Sequence, residues 1–189
     1  MPLQKIAVLG LGKVGTLAAR LLHQGDFDVT GFDSREPREK LAFSVQTADL
    51  GSDDGVRAAT RGFDAVLSCL PYRFNKRIAA AAHAEGMHYF DLTEDVPTTE
   101  AIRELSRTSR GLMAPQCGLA PGFVGIVGAA QVAAFEDCRS LRLRVGALPQ
   151  NPTGLMGYAF NWSPEGVVNE YLNDCEVIED GVRKMVSSM

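Results

Sequence analysis

Ile6-Ala7-Val8-Leu9 is a short unbroken apolar run that stops at a glycine, the pattern of a strand buried on both faces of a parallel sheet. Val14, Leu17, Ala18, Leu21 and Leu22 follow at helical spacing and predict an amphipathic helix that ends near Gly25. The same exchange of periods continues downstream. Strands are expected at 27–33, 44–50, 64–70 and 87–92, with a short helix at 52–61 and an Ala-rich one at 74–85 closed by Gly86. A helix at 98–109 and a strand at 112–116 complete the alternation. Strands alternating with helices imply right-handed crossovers, so the expected fold class is α/β with a doubly wound parallel sheet.

Beyond Pro121-Gly122 the pattern changes. A helix is expected through Phe123, Val127, Ala130 and Ala134 to about 135, after which Leu141, Leu143 and Val145 alternate with Arg142, Arg144 and Gly146. That period of two belongs to a half-exposed strand. The beginning of a second, α+β domain is therefore expected, dividing the chain into 1–136 and 137–189. Residues 177–189 offer one more strand, a turn at Gly181 and a polar end, too little to cover a sheet.

Composition narrows the partners. The 189 residues are 46% apolar and 22% charged, the profile of an ordinary globular protein. A formal net charge of −4 and the lack of any Lys/Arg run longer than two argue against nucleic acid. Apolar runs fall far short of the roughly 20 residues that span a bilayer, and no signal-like segment precedes the first strand, so no membrane contact and a cytoplasmic location are expected. Cys69, Cys117, Cys138 and Cys175 are far apart, with no Cys-x-x-Cys pair and no metal-ligand spacing. Free thiols, mostly buried, and no metal are expected.

Gly10-Leu11-Gly12-Lys13-Val14-Gly15 lies between the first strand and the first helix. There the first glycine makes the tight turn, the second admits a pyrophosphate and the third lets helix pack on strand, while the helix N-terminus supplies N–H donors. This makes the sheet a Rossmann fold with a nicotinamide dinucleotide as cofactor. Asp33, at the end of the second strand, is the acid that accepts from the adenosine ribose hydroxyls and points to NAD. Ser34 and Arg35 leave NADP open, because a hydroxyl and a guanidinium beside the ribose can hold a 2′-phosphate; a solvated Arg35 is the alternative. Asp49 is expected near the adenine, and Leu70-Pro71 near the nicotinamide ribose.

Tyr72 and Lys76 spell Tyr-x-x-x-Lys, the catalytic pair of short-chain dehydrogenases, but they directly follow the fourth strand and not a later helix, so that reading is rejected. Tyr72 can instead line a substrate cleft or pack. Asp91, Glu94 and Asp95 stand at the carboxyl end of the fifth strand, the edge that carries the glycine loop, and would welcome an amine. Glu94 and Asp95 also suit the positive end of the next helix. Asp91 is the better candidate for substrate binding or proton transfer. Cys117, in the Gln116-Cys117-Gly118-Leu119-Ala120-Pro121-Gly122 turn, either touches substrate or is a buried structural thiol. His23, His83 and His88 are isolated and read as solvated or packing residues.

Taken together, the glycine loop, Ser68-Cys69-Leu70-Pro71-Tyr72, His88-Tyr89-Phe90-Asp91-Leu92-Thr93-Glu94-Asp95-Val96, the 116–122 turn and Val145-Gly146-Ala147-Leu148-Pro149-Gln150-Asn151-Pro152 resemble the saccharopine dehydrogenase-like amino-acid dehydrogenases. The lysine 6-dehydrogenase branch is the nearest. The resemblance extends through Asn161-Trp162-Ser163-Pro164-Glu165-Gly166 and Asn169-Glu170-Tyr171. It implies an N-terminal Rossmann domain paired with a larger catalytic and dimer-forming domain, and oxidation of an amine carbon of a basic amino acid by hydride transfer to NAD(P). Family members continue well beyond the position of Gly181, so 137–189 is expected to be a partial domain. Leu155, Met156, Tyr158, Phe160 and Trp162 would then lack partners, which favours a homodimer. The rival expectation is a non-catalytic NAD(H)-binding sensor, which would have no use for 148–171.

Overall fold

The computed structural model describes residues 3–146, 148–155, 157–160 and 162–188. Its first half alternates β1 (Lys5–Leu9), α1 (Lys13–Gln24), β2 (Asp28–Asp33), β3 (Ser44–Thr47), α2 (Asp53–Thr60), β4 (Ala65–Ser68), α3 (Asn75–Glu85), β5 (His88–Asp91), α4 (Val96–Ser106) and β6 (Met113–Ala114). The six strands form one parallel sheet in the order β3-β2-β1-β4-β5-β6, the doubly wound Rossmann arrangement. Its crevice lies at the carboxyl ends of β1 and β4, where the strand order reverses.

Burial on both faces explains the continuous apolar run of β1. Ala7 and Leu9 point to one side, where Val56 of α2, Ile78, Ala79 and Ala82 of α3, and Ile102 of α4 complete a core. Ile6 and Val8 point to the other side, against Ala19 of α1, Val29, Phe43 and Ala65. Local caps set the helix starts. Ser52 accepts from Gly55 N–H, and Asp95 accepts from Thr98 N–H at 2.9 Å. Gly86, with φ of 71°, closes α3.

Only part of the apolar stripe expected on α1 packs: Ala18 and Leu22 are half-buried, Leu22 against the core. Val14, Leu17 and Leu21 are 53%, 56% and 58% exposed, whereas Gly15 and Ala19 face the sheet. The cause is the glycine loop: a Cβ on Gly15 would stand 1.8 Å from the Gly10 carbonyl oxygen, so the helix presents its smallest side there and carries its larger residues outward. Strand β6 is shorter than expected because Pro115 has no N–H for the ladder and Gln116 turns into the left-handed region at φ 62°. Helix α4 begins earlier, since Pro97 occupies its first turn, where a missing N–H costs nothing.

The second half departs further. Helix α5 (Phe123–Val132) forms, yet Phe123 and Ile126 are exposed and only Gly128 is buried. Leu141, Leu143 and Val145 do not make a strand, because no neighbouring edge pairs with them; Leu141 and Leu143 lie over Gly128 instead. An unexpected helix, α6 (Pro164–Leu172), starts from Ser163, whose hydroxyl accepts from Gly166 N–H. The Gly181 turn joins two strands, not one, in an antiparallel hairpin of β7 (Cys175–Glu179) and β8 (Val182–Val186). Asp180 and Gly181 both take positive φ there, as tight hairpin turns require. Leu155 and Phe160 are exposed, and Tyr158 packs edge-on to Phe160; Met156 lies outside the described residues.

Candidate dinucleotide and substrate site

The chain leaves β1 through Gly10, which takes a φ of 91° and donates its N–H to Phe32 O at 2.8 Å. Thr16 Oγ1 donates to Leu11 O, and Leu11 N–H donates to Asp33 Oδ2 at 2.7 Å, so the loop is tied down at both ends. At Gly12 no protein atom stands within 4 Å of where a Cβ would be, and no side chain caps α1. The first-turn N–H groups of α1 therefore remain available beside open space. That cradle fits a pyrophosphate by its donors, its dipole and its clearance.

A cavity of about 740 Å³ opens beside it, lined by Gly12, Lys13, Asp33, Arg35, Arg38 and Leu41, among others. Asp33 spans it from below: besides Leu11 N–H, its carboxylate accepts from Arg35 N–H at 3.2 Å and from the Ser34 hydroxyl at 3.4 Å. Arg20, also at the rim, is paired with Glu39 at 3.0 Å. Among the described residues no carboxylate pairs with Lys13, Arg35 or Arg38. Leu70 reaches the glycine loop too, since its Cδ2 would meet a Cβ on Gly10 at 2.9 Å; the Leu70-Pro71 turn thus abuts the cradle. Val14 stands exposed in the first turn of α1. Asp49 does not line the cavity. Its carboxylate accepts from Gly51 N–H at 3.0 Å and its carbonyl from Ser52, a turn that starts α2.

On the nicotinamide side the polar groups differ in kind. Asp91 is fully buried, with its carboxylate taking four hydrogen bonds: Thr93 N–H and Gln116 N–H on Oδ1, Tyr89 Oη and Asn75 Nδ2 on Oδ2. Burial pushes its carboxyl above the ordinary range, and these donors pull in the opposite direction. Burial, with the neighbouring Asp91 charge, also drives the Tyr89 phenol upward. Asp91 is thus sequestered and does not reach the cleft surface, unlike the expected substrate-binding group. Asn75 and Ser68, joined at 2.7 Å, belong to the same cluster; Ser68 stands out in the sequence as the polar member of an apolar run, whereas nothing in the sequence marks Asn75 among the charged residues around it.

Tyr72 lies half-buried in a 3-10 turn, Tyr72–Phe74, directly after Pro71. Cys117 is exposed, not buried, because the left-handed Gln116 swings it out of line with β6; its Sγ contacts Ala114 O at 3.4 Å. Cys138 and Cys175 are exposed as well, and Cys69 is half-buried with its thiol pushed up to about 12 by desolvation, correcting the expectation of mostly buried thiols. The described residues contain no cluster placed to hold a metal ion and no helix long and apolar enough to cross a membrane.

Helix α6 brings a group that local patterning did not reveal. Asn169 Nδ2 donates to Asp95 Oδ1 at 3.2 Å, and Glu165 pairs with Arg73 at 2.5 Å, so α6 docks on the turns after β4 and β5. Asp95 acts as the helix cap expected of it, but Glu94 does not. Burial raises the Glu94 carboxyl above its ordinary range, and the charges of Glu170, Asp95 and Asp91 push it further. Glu170 is raised by burial too. Glu94 is half-buried and Glu170 exposed on α6, and a cation near Glu94 would relieve the burial and the like charges that oppose its ionised form.

Known proteins share both halves of this arrangement. The family model described as the saccharopine dehydrogenase NADP binding domain matches residues 6–114, and that of the saccharopine dehydrogenase C-terminal domain matches 118–189. The NADP⁺, L-glutamate-forming saccharopine dehydrogenase of Pyricularia oryzae is 23% identical over 193 residues, spanning 96% of this chain and 43% of that protein. Its counterpart from Schizosaccharomyces pombe is 21% identical over 172 residues, spanning 88% and 36%. The apo structure of the L-Glu-forming saccharopine dehydrogenase from Saccharomyces cerevisiae superposes with a TM-score of 0.58 at 19% identity, over 98% of this chain and 44% of that one. The chain thus spans less than half the length of these relatives.

Proposed function

This chain belongs to the saccharopine dehydrogenase family, and from that premise we propose that it serves an NAD(P)-dependent oxidation at a C–N bond of a basic amino acid, with NADP(H) the preferred cofactor. The observation that carries the reading is the open glycine-loop cradle between β1 and α1, with the half-buried Glu94 in the turn after β5 at the same edge of the sheet. A nicotinamide bound there supplies the hydride acceptor. The chain's own residues do the rest. Gly10, Gly12 and the first turn of α1 bind the pyrophosphate. Arg35, Arg38 and Lys13, without carboxylate partners among the described residues, give a 2′-phosphate the positive rim that a bare ribose does not need. Glu94 and Glu170 attract the substrate ammonium, while Tyr72 and Cys117 flank it from the turns after β4 and β6.

The deciding assay is NAD(P)H formation with saccharopine, lysine and ornithine, run beside direct titration with NADPH and NADH. Turnover of any of them with NADPH bound at least as tightly as NADH supports the proposal. Dinucleotide binding without turnover of all three would favour a non-catalytic binding module. The exposed Phe123, Ile126, Leu155 and Phe160 further support self-association. A clean monomer by light scattering at micromolar concentration counts against it.

A further inference from the structure

Three turns form the substrate side of the crevice, those after β4, β5 and β6, and all three meet at one carboxylate. Thr93 N–H, in the turn after β5, reaches Asp91 Oδ1 at 3.0 Å. Gln116 N–H, in the turn after β6, reaches the same oxygen at 3.1 Å, and Cys117 N–H donates to the Asp91 backbone carbonyl at 2.7 Å. The turn after β4 is joined indirectly: Asn75 Nδ2 reaches Asp91 Oδ2 at 3.1 Å while Asn75 Oδ1 accepts from Ser68 Oγ at the end of β4. Tyr89 Oη completes the shell at 2.7 Å.

We propose that Asp91 is a positioning residue, which from full burial locks these three turns into one arrangement and thereby sets where Tyr72 and Cys117 stand against the substrate. The proposal rests on the functional reading above and deepens it. Four neutral donors surround the carboxylate, one for each in-plane lone pair, so a proton arriving on Asp91 would have to displace one of them. With no exposed surface, Asp91 cannot touch a substrate. The grip is needed because Gln116 is a non-glycine residue in the left-handed region, a conformation that persists where its surroundings hold it. Hydrogen bonds from two successive amides, Gln116 and Cys117, to the same residue supply that hold.

An amide can replace this carboxylate without breaking the network. In Asp91→Asn, Oδ1 keeps the Thr93 and Gln116 amides; the Tyr89 hydroxyl rotates to accept, and Asn75 turns its amide over, with Ser68 able to accept in return. An acid or base cannot be replaced so. The test uses the full chain, with amide hydrogen exchange at Thr93, Gln116 and Cys117 and, in parallel, the pH profile of kcat/KM on the best substrate. Asp91→Asn should keep the three amides protected, and its kcat/KM within about threefold and its pH limbs unmoved, as expected where no transition-state interaction is lost. Asp91→Ala, with four donors orphaned, should exchange faster at Thr93 and Gln116, whose acceptor is lost, and lose about tenfold or more in kcat/KM through misplacement. Tyr89→Phe, which removes one donor, gives the intermediate case should Asp91→Ala fail to fold. An inactive but folded Asp91→Asn that lacks one pH limb would overturn the proposal in favour of acid–base catalysis. Unchanged exchange in the Ala and Phe variants would overturn it even for a chain that turns over no substrate, so the failure of the functional reading is told apart from the failure of this one.

Discussion

The backbone N–H of Leu11 donates to Asp33 Oδ2 at 2.7 Å across 22 residues of sequence, tying the glycine loop to the end of β2. The carboxylate therefore shapes the loop as well as lining the cavity beside it. Asp33→Ala removes this acceptor and should weaken NADH and NADPH alike by about tenfold or more, the scale of a charged hydrogen bond. Asp33→Asn keeps an acceptor for Leu11 and removes the charge that repels a 2′-phosphate. It should shift the NADPH/NADH affinity ratio toward NADPH, as read by fluorescence titration; an unchanged ratio would show that the carboxylate does not face the ribose.

Gly12 and Gly15 make different demands, and alanine should separate them. Gly12 has an ordinary φ of −69° and open space around it, so Gly12→Ala should leave the melting temperature unchanged while reducing dinucleotide affinity. Gly15→Ala drives a Cβ into the Gly10 carbonyl and should cost about 1–3 kcal/mol of folding stability in addition to binding. Denaturant titration beside NADPH titration distinguishes the two.

Arg35 and Arg38 line the cavity and have no carboxylate partner among the described residues. Replacing both by alanine should lower NADPH affinity by about tenfold or more and leave NADH affinity nearly unchanged, as loss of charge-assisted bonds to phosphate predicts. Equal losses for both cofactors would place the guanidinium groups away from the 2′ position.

Glu94 supplies a pH-dependent prediction. Its carboxyl lies above the ordinary value of 4.5 chiefly because burial disfavours its charge. The folded state therefore binds this proton more tightly than the unfolded chain, and stability falls as pH rises from the ordinary value through the raised one. Glu94→Gln should melt higher than the native chain at pH 7, with the difference vanishing below about pH 4. The same substitution should raise KM for a basic amino acid more than it lowers kcat. A melting temperature that does not rise at neutral pH would show that Glu94 is relieved by a partner in solution.

The Rossmann half was legible because its signals are local. An apolar run sets a strand, a glycine that tolerates positive φ sets the turn, and Ser52 and Gly86 mark helix ends within one turn of themselves. Part of the α1 stripe misled for a physical reason: close approach at Gly15 outranked apolar periodicity in choosing the buried face. Helix α6 carried a readable start in Ser163-Pro164-Glu165, but its short span lacks a clear apolar period.

From its own residues the sequence determined the cofactor cradle, the alternation of strand and helix that builds a doubly wound sheet and the edge at which chemistry belongs, since each follows from constraints within a few residues. Tertiary structure alone decided that Asp91 is sequestered rather than presented, because its partners Asn75 and Gln116 come from 16 and 25 residues away. It likewise decided that α6 docks through Asn169 on Asp95, 74 residues upstream, and so brings the charge of Glu170 to bear on Glu94. Burial and the meeting of like charges are properties of packing, and no local pattern encodes them.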